Sequence, residues 1–324
     1  MKFKTIASLL LFLFLLCNVV FADSKPVATL TVFFGEVLYK NASGSNWALV
    51  KRGMFFYPGD RIATKLDGKA EIYFTDGSIL RVANESEMEF TIQDNKKKRS
   101  VFLVFGKVWN KVTKGTNFEI ESIHGVASVK GTEFDVAVKD EMDVWVADGA
   151  VEISNDKGKV LSERNTYTRI KKDSEPKKES INQDQLPKRD DMQSKLSLML
   201  NFVGDKVEDK PFIIKAAVKD NKTEKLYKGE VVEVRFVSND KRMKFSSDNK
   251  EWNDEVIVKI TDGQGELKVK GQSGQSEFMV IGKNLPGISV EVTIKPEIKA
   301  KKISLSYIDS DNKEKNLDLE FERK

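Results

Sequence analysis

The chain has 324 residues, with 54 lysines and arginines against 50 aspartates and glutamates, one histidine and one cysteine. A balance so near neutral leaves no whole-chain electrostatic footprint for nucleic acid. One histidine and one cysteine are too few for a zinc site built on nitrogen and sulfur ligands, and they leave His124, next to Gly125, as the one candidate base for a histidine-based triad. The charges are abundant and of mixed sign, which describes a well-solvated surface.

The first 22 residues read as a secretory signal peptide. Lys2 and Lys4 open it, residues 6–16 are apolar, and Val20 and Ala22 stand three and one residues before a cut at Asp23. A retained membrane anchor is the rival reading, with residues 6–22 near the lower length limit for crossing a bilayer. Cys17 raises a third, a lipoprotein cut before it, although the bulky Leu16 stands where such signals place a small residue. Cut after Ala22, the chain has no cysteine, hence no disulfide, thiol nucleophile or thiolate metal site. Its balance is then 52 basic against 50 acidic, a net of +2. Membrane association is expected only if Cys17 is lipidated or the segment is retained, since no later apolar run is long enough to span. The roughly 300 residues that remain fit two domains.

From Pro26 the residues alternate apolar and polar over short runs, as in 28–32, 69–74, 118–120 and 132–138. A period of two puts alternate side chains on one face of a strand. Asp76-Gly77 separates two such runs and supplies the positive φ of a tight hairpin turn, and Pro58-Gly59-Asp60 is a second turn. No long stretch of helical periodicity occurs, so the fold expected for 23–170 is all-β. Residues 171–209 change character. Their first part is almost wholly polar and reads as a charged linker. Near its end Met192, Leu196, Met199, Leu200 and Val203 recur at helical spacing, with Asp190 or Asp191 as cap, which predicts a short amphipathic helix docked on a β-domain. From 210 the strand pattern returns, with candidate strands over 212–218, 230–237, 255–260, 265–269, 277–281, 289–294, 303–307 and 317–321. Many short strands with turns between them predict a β-sandwich over 210–324, for which Trp252 is a candidate core aromatic.

The first domain carries an ordered set of short motifs: Gly35-Glu36-Val37, Trp47-Ala48-Leu49, Gly53, Pro58-Gly59-Asp60-Arg61, Asp76-Gly77-Ser78, Gly106-Lys107-Val108, Val129-Lys130-Gly131-Thr132-Glu133-Phe134, and Val146-Ala147-Asp148-Gly149-Ala150. Together they span about 125 residues, and the set resembles the FecR domain, a family named after a bacterial periplasmic regulator of ferric citrate uptake. The resemblance implies an envelope sensing or protein–protein interaction domain. It does not imply direct control of transcription, because neither a sigma-factor-binding segment nor a membrane helix precedes the domain here, and iron citrate is not carried over as a stimulus. The signature positions are Gly59, Asp60, Asp76, Gly77, Ser78, Gly131, Thr132, Phe134 and Gly149. Their residue types suit turns and close backbone approach, so they are expected to hold the fold. The second domain resembles bacterial immunoglobulin-like modules through residues 260–269.

No catalytic, cofactor-binding or metal-binding residue is singled out. His124, next to Gly125, reads as a loop residue. Asp140, Glu141 and Asp143 cluster between strands without the EF-hand pattern and read as a solvated loop. No carboxylate pair stands out for glycoside hydrolysis, and no phosphate loop or other cofactor motif is present. The basic turn 95–99 keeps a hairpin tip solvated. The expectation is a non-enzymatic protein of the periplasm or cell envelope with an envelope protein as partner and no nucleic acid. The alternative is a structural or adhesive surface protein that binds cell wall or host matrix.

Overall fold

The computed structural model describes residues 25–91, 99–188, 192–297, 301–308 and 314–321, the last two as backbone strands. The expected signal peptide with Cys17, the basic turn before Arg99, and Asp190 and Asp191 lie outside the described residues.

The first unit is built of β1 (Ala28–Phe34), β2 (Val37–Lys40), β3 (Ala48–Leu49), β4 (Phe55–Phe56), β5 (Arg61–Thr64), β6 (Lys69–Phe74), β7 (Ile79–Val82), β8 (Ser86–Phe90) and the long β9 (Arg99–Lys111). It continues with β10 (Phe118–Glu121), β11 (Val126–Val129), β12 (Glu133–Val138), β13 (Met142–Asp148), β14 (Ala150–Asn155), β15 (Gly158–Glu163), β16 (Thr166–Ile170) and β17 (Lys177–Ser180). Sheet I runs β4-β1-β6-β7-β9-β12-β13-β16-β17. Sheet II runs β3-β2-β5-β8-β9-β10-β11-β14-β15, and only its β9–β10 pair is parallel. From β6 onward the chain alternates between the two sheets about two strands at a time. Alternation in most of these strands gives a buried row facing the other sheet, and those rows interleave as one core that includes Phe56, Phe74, Phe90, Phe118 and Phe134.

Strand β9 belongs to both sheets: its first half pairs with β8 and β10, its second with β7 and β12. The change occurs at Gly106, whose φ is +97° and where a Cβ would stand 2.2 Å from Ser86 Oγ. A side chain there would be strained and would also clash, so this glycine is what lets one strand turn the corner.

The second unit is a sandwich of β18 (Leu196–Val203), β19 (Phe212–Asp220), β20 (Val232–Ser238), β21 (Met243–Ser246), β22 (Glu255–Ile260), β23 (Gln264–Gly271), β24 (Gly274–Gly282) and β25 (Leu285–Ile294). Sheet III is β18-β19-β23-β21, and sheet IV is β22-β20-β24-β25. The rings of Phe236, Phe245 and Phe278 lie 5.6–6.1 Å apart between the sheets. Trp252 is not in that core; it is half-buried with Lys270 Nζ 4.6 Å from its ring centroid. A hairpin of β26 (Lys301–Ile308) and β27 (Glu314–Phe321) follows.

Two expectations are corrected. The predicted helix through Met192–Val203 is strand β18, paired with β19 from Leu196↔Asp220 to Val203↔Ile213. Leu196, Leu198, Leu200 and Phe202, spaced by two, pack on the second core. Met199 and Val203, which completed the helical count, face outward. Part of the polar linker is also ordered: Lys177–Ser180 is an edge strand on β16. An edge strand with exposed side chains needs no apolar residue, and charge there discourages further pairing.

Candidate interaction site

All the signature turns come together at one end of the first unit. The turns before β5, between β6 and β7, and after β9, β11, β13 and β15 meet there. Their residues are tied to one another by hydrogen bonds. The buried Asp60 carboxylate accepts from Tyr57 N at 2.9 Å, Ala42 N at 3.0 Å and the Tyr39 hydroxyl at 3.3 Å. Gly59 N donates to Phe90 O at 2.7 Å. Asp76 Oδ1 accepts from Ser78 N at 2.8 Å, and Asp76 Oδ2 lies 3.7 Å from Arg99 Nε. The buried Ser78 hydroxyl in turn accepts from Thr113 N at 3.1 Å, and Gly77 packs against Thr113.

The seam continues along the crossovers. Val112 N donates to Thr132 O at 2.9 Å, and Thr132 Oγ1 donates to Ala150 O at 2.8 Å. Gly131 has φ +92°, and a Cβ on it would stand 2.6 Å from Lys114 Cα, so the neighbouring loop can only pass this close to glycine. Gly149 packs on Thr132, and Phe134 is fully buried beneath. The polar groups of this signature therefore serve neighbouring turns. They leave a rigid, glycine-lined rim with a groove of about 260 Å³ bordered by Gly77, Lys111, Thr113, Gly131, Glu133 and Asp148.

A second feature escaped sequence reasoning. On the outer face of sheet I, strand register aligns Glu71, Arg81, Trp109, Asp135, Trp145 and Tyr167 in one row across six strands. Arg81 lies 4.6 Å from the Trp109 ring and pairs with Glu71 at 2.8 Å. Trp145 and Tyr167 are 5.2 Å apart. Asp135, 3% exposed, sits between the two tryptophans with Lys107 Nζ at 3.2 Å. Burial, then the hydrogen bond to Asp143, raises the Tyr167 phenol well above its ordinary value. Met192 and Lys188 pass over one end and leave a cavity of about 70 Å³ against Arg81, Trp109 and Asp135. The signal available in the sequence was the parity of Asp135, a polar position in a strand whose other neighbours are apolar.

The remaining candidates are dispersed. His124 is buried at the β10–β11 turn with Nε2 3.0 Å from Lys139 O. Glu141 and Asp143 are paired with Arg169, and Glu141 also with Lys171. No group of histidines, cysteines and carboxylates among the described residues is arranged to hold a metal ion.

Comparison with known proteins bears on the first unit. The family model described as FecR protein matches residues 60–152, from Asp60 through the crossover seam into β14. No curated protein matches. Among solved structures, a "putative anti-sigma factor" from Parabacteroides distasonis is 18% identical, with 38% of this chain and 60% of that chain covered, at a TM-score of 0.35. A β-glycosidase from Bacteroides vulgatus is 10% identical over 56% of this chain and 23% of that one, at a TM-score of 0.26. This chain thus spans about three fifths of the first protein and a quarter of the second, and both scores are too low to assign a shared fold.

Proposed function

From the FecR domain carried by residues 60–152, we propose that this chain is a non-enzymatic sensing or protein–protein interaction module of the cell envelope, exported by its first 22 residues. What supports this reading is the use made of the signature. Asp60, Ser78 and Thr132 are buried and bonded to neighbouring turns, so their chemistry fixes a shape. A shape held this firmly suits recognition of a folded protein, because a preorganised surface loses little entropy on binding. The crossover end is the proposed contact surface, with the exposed Lys114 and Lys130 on its rim. The second unit is the mount that carries it.

The test is photo-crosslinking in the producing cell from position 114 or 130, with position 157 on the opposite end as control. The expected result is one envelope protein captured from 114 and 130 and not from 157. Capture of peptidoglycan-linked or surface components alone would move the reading to a structural or adhesive protein. Turnover of a glycan or peptide by the purified chain, abolished by changing a single carboxylate, would refute the non-enzymatic assignment.

A further inference from the structure

The outer face of sheet III differs in charge from the outer faces of sheets I and IV. On sheet I, Arg81 pairs with Glu71 at 2.8 Å and Lys107 with Asp135 at 3.2 Å. On sheet IV, Lys259 pairs with Glu233 at 3.7 Å and Arg235 with Glu36 at 2.8 Å. Sheet III turns Leu198, Ile214, Leu267 and Phe245 toward the second core. Alternation then puts Lys215 and Lys219 of β19, Lys268 and Lys270 of β23 and Lys244 of β21 on its other side. Glu266 is the carboxylate that these strands place beside them, opposite Lys215 in register, and Asp254 pairs with Lys244 at 2.6 Å. Among the described residues no carboxylate forms an ion pair with Lys215, Lys219, Lys268 or Lys270. Five lysines against Glu266 and Asp254 leave a surplus of three positive charges on one face. In a chain so near neutral overall, that concentration marks a surface for an anionic partner.

Apolar side chains share this face. Val203 lies opposite Ile213 and Met199 opposite Ala217. Met199 is 50% exposed and Val203 38%. Along β19 the outward positions read Ile213, Lys215, Ala217, Lys219, so each apolar group has a cation two residues away, about 7 Å along the strand. On the same side Lys270 Nζ lies 4.6 Å from the ring centroid of the half-buried Trp252. Tryptophan beside cations and aliphatic groups is a composition enriched where protein meets a membrane–water interface.

We propose that the outer face of sheet III seats the second unit on a bilayer surface that carries anionic lipid. Headgroup phosphates complement the surplus lysines, whose apolar stems let each ammonium reach up to phosphate depth. Met199, Val203 and Ile213 enter the boundary between headgroups and acyl chains just below. Charge complementarity by itself admits any polyanion, and the aliphatic side chains decide between them. A soluble acidic polymer leaves Met199, Val203 and Ile213 in water, whereas a bilayer offers phosphates and acyl chains at adjacent depths. This contact needs neither Cys17 nor the first 22 residues, and it is independent of the crossover surface proposed above.

Vesicle flotation with the chain purified from its producing cell tests this, at about 0.15 M salt. Vesicles of phosphatidylglycerol and phosphatidylethanolamine in equal parts are compared with vesicles of phosphatidylcholine alone. Three surplus lysines predict binding about a hundredfold tighter to the anionic vesicles. Lys219→Gln with Lys268→Gln keeps stem length and removes two charges, and should weaken that binding about 25-fold. Met199→Ser with Val203→Ser should weaken it about tenfold. Lys259→Gln, from an ion pair on sheet IV, should bind as wild type. All these side chains lie on outer faces, so none of the changes opens a core. Equal binding to the two kinds of vesicle, or glutamine variants that bind like wild type, would overturn the proposal. So would serine variants that bind vesicles like wild type while the chain also binds soluble poly-L-glutamate, an outcome that makes the face a site for an acidic polymer.

Discussion

Asp60 offers the sharpest test of what the signature does. Its carboxylate accepts two backbone N–H groups and one hydroxyl, and it is 1% exposed. Asp60→Ala leaves those donors facing a cavity that offers no acceptor. A buried donor left unmatched costs about 1–3 kcal/mol, and the bonds lost here are to a charged group. Ala42 and Tyr57 lie near the surface, so water recovers part of the loss, and about 3 kcal/mol is expected for the variant. Asp60→Asn keeps one acceptor oxygen but turns an N–H₂ toward a donor, and about 2 kcal/mol is expected. Urea unfolding followed by tryptophan fluorescence measures both, with the slope of the transition unchanged if only stability has moved. For a unit of this size the alanine variant should melt about 10 °C lower. A loss below about 1 kcal/mol for Asp60→Ala, with binding of a crosslinked partner abolished, would refute the structural reading and make Asp60 a contact residue.

Gly131→Ala should destabilise by about 3 kcal/mol, because the position is left-handed and the added Cβ meets the Lys114 backbone; chemical denaturation measures it. The carboxyls of Asp220 and Asp248 are held below the ordinary range, chiefly by backbone N–H groups of Thr223 and of Lys250 with Glu251. A depressed folded value gives stability that is full above the unfolded carboxylate range and is lost as pH falls through the folded one. The acid limb of a stability–pH curve should therefore flatten in an Asp220→Ala, Asp248→Ala chain. Met279→Asp places a charge in the core of the first unit and should cost more than about 3 kcal/mol. Calorimetry should then show one transition splitting into two.

The all-β class was legible because period two holds in nearly every run, and Asp76-Gly77 turns where its residue types require. Strand β18 was misread because residues 196–203 satisfy both periods: Leu196, Met199, Leu200 and Val203 fit a helix, while Leu196, Leu198, Leu200 and Phe202 fit a strand. The free pairing positions of β19 decided between them, and those are invisible locally. The row from Glu71 to Tyr167 joins six strands, and only register aligns it. The signature residues were found as a set, yet their meeting at one end depends on the chain alternating between sheets. The packing of the two units on each other did leave a trace: Phe278-Met279-Val280-Ile281 is apolar without interruption, the mark of a strand buried on both faces.

That strand sets how the molecule can respond to a partner. Phe278 and Val280 of β24 pack in the second core, while Met279 and Ile281 on its other face pack in the first. Around it, Gly35 N bonds Gly282 O at 3.2 Å, Phe34 pairs with Pro286, and Phe33 lies so close to Gly287 that a Cβ there would stand 2.0 Å from the ring. Arg235 reaches Glu36 at 2.8 Å, and Lys51 pairs with Glu277. Bending between the units would open two cores at once and strip partners from β24, a penalty far above thermal energy. A partner gripping the crossover end, as proposed above, would therefore act on the whole molecule as a lever.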